Sequence, residues 1–404
     1  MSFRTAISGL SAANADLSVT ANNIANASTT GFKGSRAQFA ELFAVSALGT
    51  TNTQAGNGVR VADVAQKFTQ GNVDFTGNSL DMAISGEGFF VLNDGGAQVY
   101  SRAGAFQVDR DGYVVNFRNQ RLQAFPPTPQ GGFNTGSLQD LRLVTGESPP
   151  NATSNVDVVL NLPSNATEPT APFDPADPDS YTQSTSMTVY DSLGAAHTAT
   201  LYFNKTGTAN EWTQRLYVDG NAVGTPQTLS YSNTGVLQAP AGGRITFPPY
   251  TPATGAAPID LTYDFGDTTQ YGQAFSVNSV VQDGYTTGRL IGIDTDASGV
   301  VQARFTNGRS QALGQVAMVQ FSNPNGLQQL GDTNWSETYT SGQALRGAAG
   351  TAGLGLIQAG ALEASNVDIT EQLVSMITAQ RNFQANAQMI RTNDAITQTV
   401  INIR

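Results

Sequence analysis

The stretch SNVDITEQLVSMITAQRNFQANAQMIRTNDAITQTVINIR, residues 365–404, decides the fold. From just before its start, Leu362, Asn366, Ile369, Leu373, Met376, Gln380, Phe383, Ala387, Ile390, Asp394, Thr397 and Ile401 recur in alternating steps of four and three. That alternation is the seam of a helix packing lengthwise on another helix. Ser365 or Asp368 can cap its start, and Glu371 stands three residues after Asp368 in the capping-box arrangement. A helix running unbroken from Asp368 to the end is about 55 Å long at 1.5 Å per residue.

The opposite end of the chain carries the same signal. Phe3, Ile7, Leu10, Asn14, Leu17, Ala21 and Ile24 follow the same steps, Ser2 can cap the start, and Gly31 can end whatever helix survives past Asn26. Gly9 and the many Asn, Ser and Thr residues lower the helix propensity. Asn14, Ala21, Asn366, Gln380 and Asp394 make poor core partners. Two such helices form a thin pair within one chain, disordered in the free subunit, and would bury far more surface stacked on further copies. They read as assembly helices, with Phe3, Ile7, Leu10, Leu17, Ile24, Leu362, Ile369, Leu373, Met376, Phe383, Ile390 and Ile401 as the contact residues.

Between the helices the period drops to two. Residues 71–117 read as a meander: FFVLN, the turn Asp94-Gly95-Gly96 and QVYSR form one hairpin, and FQVD, Arg110-Asp111-Gly112 and YVVNF another. Prolines and small polar residues dominate 126–180 and mark boundaries or exposed loops. Strand patterns resume at 186–203 around an Asp191–Gly194 turn and continue to about 265. A further series at 288–321 turns at Asp296–Gly299 and Asn307–Gly308. The fold class is mostly β with α-helical termini. The element order suggests nesting: 1–30 with 360–404 as a discontinuous helical inner domain, then 31–70 as a connecting segment. Residues 71–144 with 285–359 form a discontinuous β-rich middle domain, and 145–284 an inserted β-rich outer domain.

Composition narrows the function. The 404 residues carry a net charge of -11, with three lysines (Lys33, Lys67, Lys205) and scattered arginines. This is not the clustered positive footprint that nucleic acid requires. Charged residues reach only 13%, and there is no cysteine for disulfides, thiolate metal sites or thiol catalysis. The first twenty residues lack the apolar run of a signal peptide, and no stretch matches a membrane span, so lipid insertion is not expected.

No catalytic, metal or cofactor site is expected. His197 is the only histidine and reads as an ordinary strand or turn position. Asp294, Asp296, Ser298 and Gly299 mimic part of a calcium loop, but position twelve is Phe305 rather than a glutamate. Asp174, Asp177 and Asp179 form an acidic, proline-broken loop. GEGF at 86–89 lacks the spacing of a phosphate loop.

Three strings carry a resemblance. MSFRTAISGLSAANADLSVTANNIANASTTGFKGSRAQF opens the chain, LDMAISGEGFF lies at 80–90, and GALEASNVDITEQLVSMITAQRNFQANAQMIRTNDAI closes it. Together they resemble the rod–hook family of flagellar axial proteins. The motif residues are Asn22, Asn23 and Asn26, then Gly31, Phe32 and Lys33, and finally Ser365, Asn366 and Asp368. The length and the inserted β-domain resemble the longer hook-type members rather than the rod-type ones. A distal rod-type subunit and a secreted β-rich adhesin or surface protein are the alternatives.

The resemblance implies a homo-polymer: a short, curved, hollow tube acting as a universal joint between rod and filament. Partners would be rod proteins, a hook cap, hook–filament junction proteins and the flagellar type III export apparatus. Export would need no cleaved signal, and the assembled location would be extracellular, associated with the basal body.

Overall fold

The computed structural model describes residues 2–42, 56–143 and 146–402. Two helices frame a β-rich middle: α1 spans Ser2–Ala25 and α2 spans Ile369–Asn402. The expected final residues of α2, 403–404, lie outside the described range, as does the side chain of Ser2. Within that range the chain divides into two compact units. One comprises Met1–Thr145, Gly292–Arg304 and Ser310–Arg404, and the other Gly146–Ile291 and Phe305–Arg309.

In the first unit α1 and α2 pack on each other, and α1 also lies on a hairpin formed by Ser35–Glu41 and Val59–Gln66. The β-rich part is an antiparallel network. The two-residue turn Gly95-Gly96 joins Phe89–Asp94 to Ala97–Ser101, with Asp94 opposite Ala97. Both glycines have positive φ (60° and 103°), which a two-residue hairpin of this hand requires. Phe89–Asp94 also pairs with Arg121–Phe125 and Met318–Gln320, and Ala97–Ser101 pairs with Asn334–Ser336. The core is aromatic. Phe89, Tyr100, Phe125, Phe321 and Trp335 are all buried, and edge-on contacts link Phe89 to Trp335 (5.6 Å) and Tyr100 to Phe321 (4.9 Å). Phe68 packs edge-on against Phe89 and Trp335, and the Trp335 indole N–H donates to Gln66 Oε1 at 2.7 Å. The end of the connecting segment is thereby anchored in this core.

The second unit is a sandwich. One sheet is an antiparallel meander of Gln183–Tyr190, Ala196–Lys205, Glu211–Val218, Asn221–Tyr231 and Leu237–Ala239. Its two central strands alternate strictly between buried and less buried positions, as a sheet with one face on a core must. The other sheet centres on Asn155–Pro163. This strand pairs in parallel with Thr262–Asp264 and Thr269–Tyr271, and antiparallel with Ser276–Gln282 on its opposite flank. Between the sheets lie Val156, Val158, Leu160, Leu201, Phe203, Trp212, Leu216, Tyr263 and Phe265.

Candidate assembly site

Helix α2 begins where the sequence sets it. Asp368 Oδ1 accepts the backbone N–H groups of Thr370 (2.7 Å) and Glu371 (3.1 Å), satisfying two donors that a helix start leaves free. Ser365, the other candidate cap, instead accepts from Val367 N–H in the preceding turn. At the other end α1 stops at Ala25. A few turn residues follow before Gly31, whose φ is 68°. A Cβ there would lie 2.5 Å from Ala103 N, so both the conformation and the close approach require glycine.

The two helices meet through small and amide side chains. Asn23 Nδ2 donates to Gln372 Oε1 at 3.1 Å, and the position a Gly9 Cβ would take lies 2.6 Å from Asn386 Oδ1. The two contacts are equally spaced along each helix and run in opposite directions, which makes the pair antiparallel. The inward stripe of α1 is Ala6, Gly9, Ala13, Asp16, Thr20 and Asn23, one position before the apolar series. Ala379 is its buried counterpart on α2.

The apolar series is only partly covered by the pair. Phe3, Ile7, Ile369, Leu373 and Ile401 are between 42% and 67% exposed. Leu10, Leu17, Ile24, Leu362, Met376, Phe383 and Ile390 are half-buried. Val374, Ile377, Met389 and Ile396 add further exposed apolar side chains along α2. By the antiparallel register, the part of α2 beyond Asn393 runs past the start of α1.

The remaining motif residues converge below the helices. Asn23 Nδ2 donates to Ser35 O (2.7 Å), and Asn23 Oδ1 accepts from Ser35 N–H (2.9 Å). Asn366 does the same work on α2's lead-in: Oδ1 accepts from Gly34 N–H (2.8 Å) and Nδ2 donates to Lys67 O (2.7 Å). Asn26 Nδ2 donates to Asn22 O, closing the last turn of α1, and Phe32 is half-buried. Two asparagine amides thus tie the chain's two ends to the segment between them.

At the centre sits a buried ionic triad. Lys33 Nζ is 2.7 Å from Glu363 Oε1, and Arg102 reaches Glu363 Oε2 at 3.3 Å; the Lys33 and Glu363 side chains are wholly buried. Lys33 also donates to Thr69 O, Gly71 N–H to Glu363 Oε1, and Gly31 N–H to the Glu363 carbonyl. Burial pulls the Lys33 and Arg102 pKa values below their ordinary ranges, and the Glu363 carboxylate opposes it in both. Sequence reading singled out Lys33 but neither Glu363 nor Arg102. The available signal was weak: a glutamate between apolar residues in ALEAS.

The cavity of about 470 Å³ beside the junction is lined by Asn22, Asn26, Gln66, Asn334 and Trp335, with Asp332, a carboxylate that Arg118 holds at 3.0 Å. Among the described residues no group of three or more His, Cys, Asp and Glu is placed to hold a metal ion. Asp296 Oδ1 accepts Ser298 N–H and Oγ–H and Val300 N–H, and Asp294 pairs with Arg304, so the calcium-like loop is a turn. Asp174 and Asp177 likewise accept from Ala176 and Asp179 backbone N–H groups. No helix among the described residues is long and apolar enough to cross a membrane.

Comparison with known proteins finds family matches from one end of the chain to the other. Residues 3–33 match the model described as flagella basal body rod protein, and 83–170 the flagellar hook protein FlgE/F/G D1 domain. Residues 161–285 match the flagellar basal body protein FlaE D2 domain, and 358–403 the flagellar basal body rod FlgEFG protein C-terminal. A crystal structure of the Helicobacter pylori flagellar hook protein FlgE2 shares the fold, with a TM-score of 0.54 at 14% identity over 72% of this chain and 100% of that one. The flagellar hook protein FlgE of Salmonella typhimurium is 38% identical, and that of Escherichia coli strain K12 39%, each over 100% of both chains. On this end-to-end similarity, the chain belongs to the flagellar hook protein family.

Proposed function

We propose that this chain is the structural subunit of a bacterial flagellar hook, polymerising into a curved hollow tube that passes torque from rod to filament as a universal joint. The observation that carries the reading is the number of large apolar side chains that α1 and α2 leave exposed. A subunit with no further partner gains nothing by keeping Phe3, Ile7, Ile369, Leu373 and Val374 in water. Neighbouring copies would cover them, and a contact that does not close on itself builds an open helix.

In this reading 1–30 with 360–404 form the inner layer, 71–144 with 285–359 the middle one and 145–284 the outer one, with 31–70 connecting them. The N- and C-terminal segments meet rod proteins, a hook cap and hook–filament junction proteins at the tube's ends. The chain reaches its extracellular site through the flagellar export apparatus, without a cleaved signal.

Leu373→Asp tests the assembly face. Because Leu373 is 47% exposed in the single chain, the monomer's unfolding free energy from urea titration should change by no more than about 0.5 kcal/mol. Polymer should be absent in electron micrographs, since the charge would be buried without a partner between copies. Normal tubes from this variant would show that the face is not an interface.

A further inference from the structure

The chain's one histidine is held between two carboxylates. In the second unit, His197 Nδ1 lies 2.6 Å from Asp219 Oδ2, and Nε2 lies 3.2 Å from Asp191 Oδ2. The imidazole and the Asp191 side chain are buried, while Asp219 is partly exposed. An ionised carboxylate oxygen can only accept, so both contacts are hydrogen bonds only when each ring nitrogen carries a proton. The geometry therefore selects the imidazolium.

Each carboxylate in turn holds a different stretch of chain. Asp191 Oδ1 accepts the Leu193 and Ala195 N–H groups, and its Oδ2 accepts the Thr254 hydroxyl at 2.8 Å. Asp219 Oδ1 accepts Thr198 N–H, and its Oδ2 accepts the Tyr250 hydroxyl at 3.3 Å. The Tyr250 ring stands edge-on to the imidazole at 6.1 Å. The groups facing the imidazole are thus Asp191 from the turn before its strand, Asp219 from the turn after the neighbouring strand, and Tyr250 from the loop across the sandwich. From this arrangement we infer that His197 is a proton-operated clamp, whose imidazolium ties the 191–195 turn, the 219–221 turn and the 250–257 loop together and whose deprotonation releases them.

The direction follows from the charges. Burial opposes the charged imidazole, but hydrogen bonds and attraction from Asp219 and Asp191 outweigh it and raise its pKa. Burial likewise works to raise both carboxyls, yet their hydrogen bonds hold them below the ordinary carboxylate range. A raised imidazole pKa stabilises the fold fully below the unfolded value and loses that contribution as pH rises through the folded one. The depressed carboxyls contribute above their unfolded value and lose it as pH falls. The clamp therefore holds between the lowered carboxyl values and the raised imidazole value, and opens as pH rises through the latter.

A single histidine makes the test direct. In full-length monomer, ¹⁵N spectra of the ring should show both nitrogens protonated on the acid side of a midpoint that lies above that of the urea-unfolded chain. Amide exchange at 191–195, 219–221 and 250–257, corrected for intrinsic rates, should accelerate as pH crosses that midpoint. The acceleration should be about tenfold per unit of separation between folded and unfolded midpoints. His197→Gln should exchange fast in these stretches with no transition, and Asp219→Asn should lower the midpoint. If His197→Gln fails to fold, the wild-type titration still decides. A folded midpoint at or below the unfolded one, or flat exchange through it, overturns the clamp.

Discussion

Glu363 is the residue on which the first unit's polar junction turns, because one carboxylate answers two buried cations and a backbone N–H. Removing one partner of a buried ion pair costs far more than the pair's net worth, since the other charge stays in a poor dielectric unmatched. Glu363→Gln keeps the shape, strips the charge and strands both Lys33 and Arg102. Its urea midpoint should report a loss of about 3–5 kcal/mol in the first unit. Breaking the exposed Arg118–Asp332 pair with Arg118→Ala should cost about 0–1 kcal/mol. Equal effects would mean that water reaches the triad. Sequence could single out Lys33 because it stands in GFK and lysines are scarce, but it could not supply the partners. Glu363 is 330 positions away along the chain from Lys33, and a buried pair leaves no periodicity to read.

At the scale of elements, the helices were the most legible part, as was the cap at Asp368. What the three–four steps could not decide is which stripe faces the sibling helix. Two stripes of the same period lie one residue apart on α1, and the close approach at Gly9 lets the small, polar one turn inward. A long apolar side chain at that position would hold the helices apart. Asp16 belongs to that inward stripe, and burial raises its carboxyl pKa. A raised acid pKa means that the charged form weakens the folded state, so helix pairing should strengthen as pH falls through the folded value. Asp16→Asn should mimic that protonation at neutral pH. In full-length monomer, amide exchange over 2–25 and 369–402 should slow relative to wild type and lose its acid-side change. Faster exchange in the variant would instead mean that the Asp16 carboxylate stabilises the pair.

For the whole molecule, the question is which unit builds the tube and which shapes it. The meander of the second unit was readable from alternation in HTATLYF and EWTQRLYV. Its other sheet was not, because Asn155–Pro163 finds its parallel partners about a hundred residues later, beyond any local pattern. The buried clusters of the two units are nevertheless self-contained. Val156 to Phe265 supply one core, while Phe89 to Phe125 with Ala317 to Trp335 supply another. The outward apolar faces of α1 and α2 belong to the first unit alone. Deleting Gly146–Ile291 and closing the gap with a short Gly/Ser linker should therefore leave the first core and the helical faces intact. Only the Phe305–Arg309 turn of the second unit would remain behind. Export and tube formation should persist, because the contacts proposed to set the lattice are untouched. Curvature should fall, because the deleted unit is the one proposed to supply outer contacts that favour one set of subunit spacings over another. Motility should then drop, since a straight joint cannot redirect torque. Electron micrographs of tubes isolated from the deletion strain measure this directly. Straight tubes of normal diameter are the expected result. Secreted protein without tubes would assign lattice building to the second unit, and tubes of normal curvature would place the bending in the helices and the first unit's sheets.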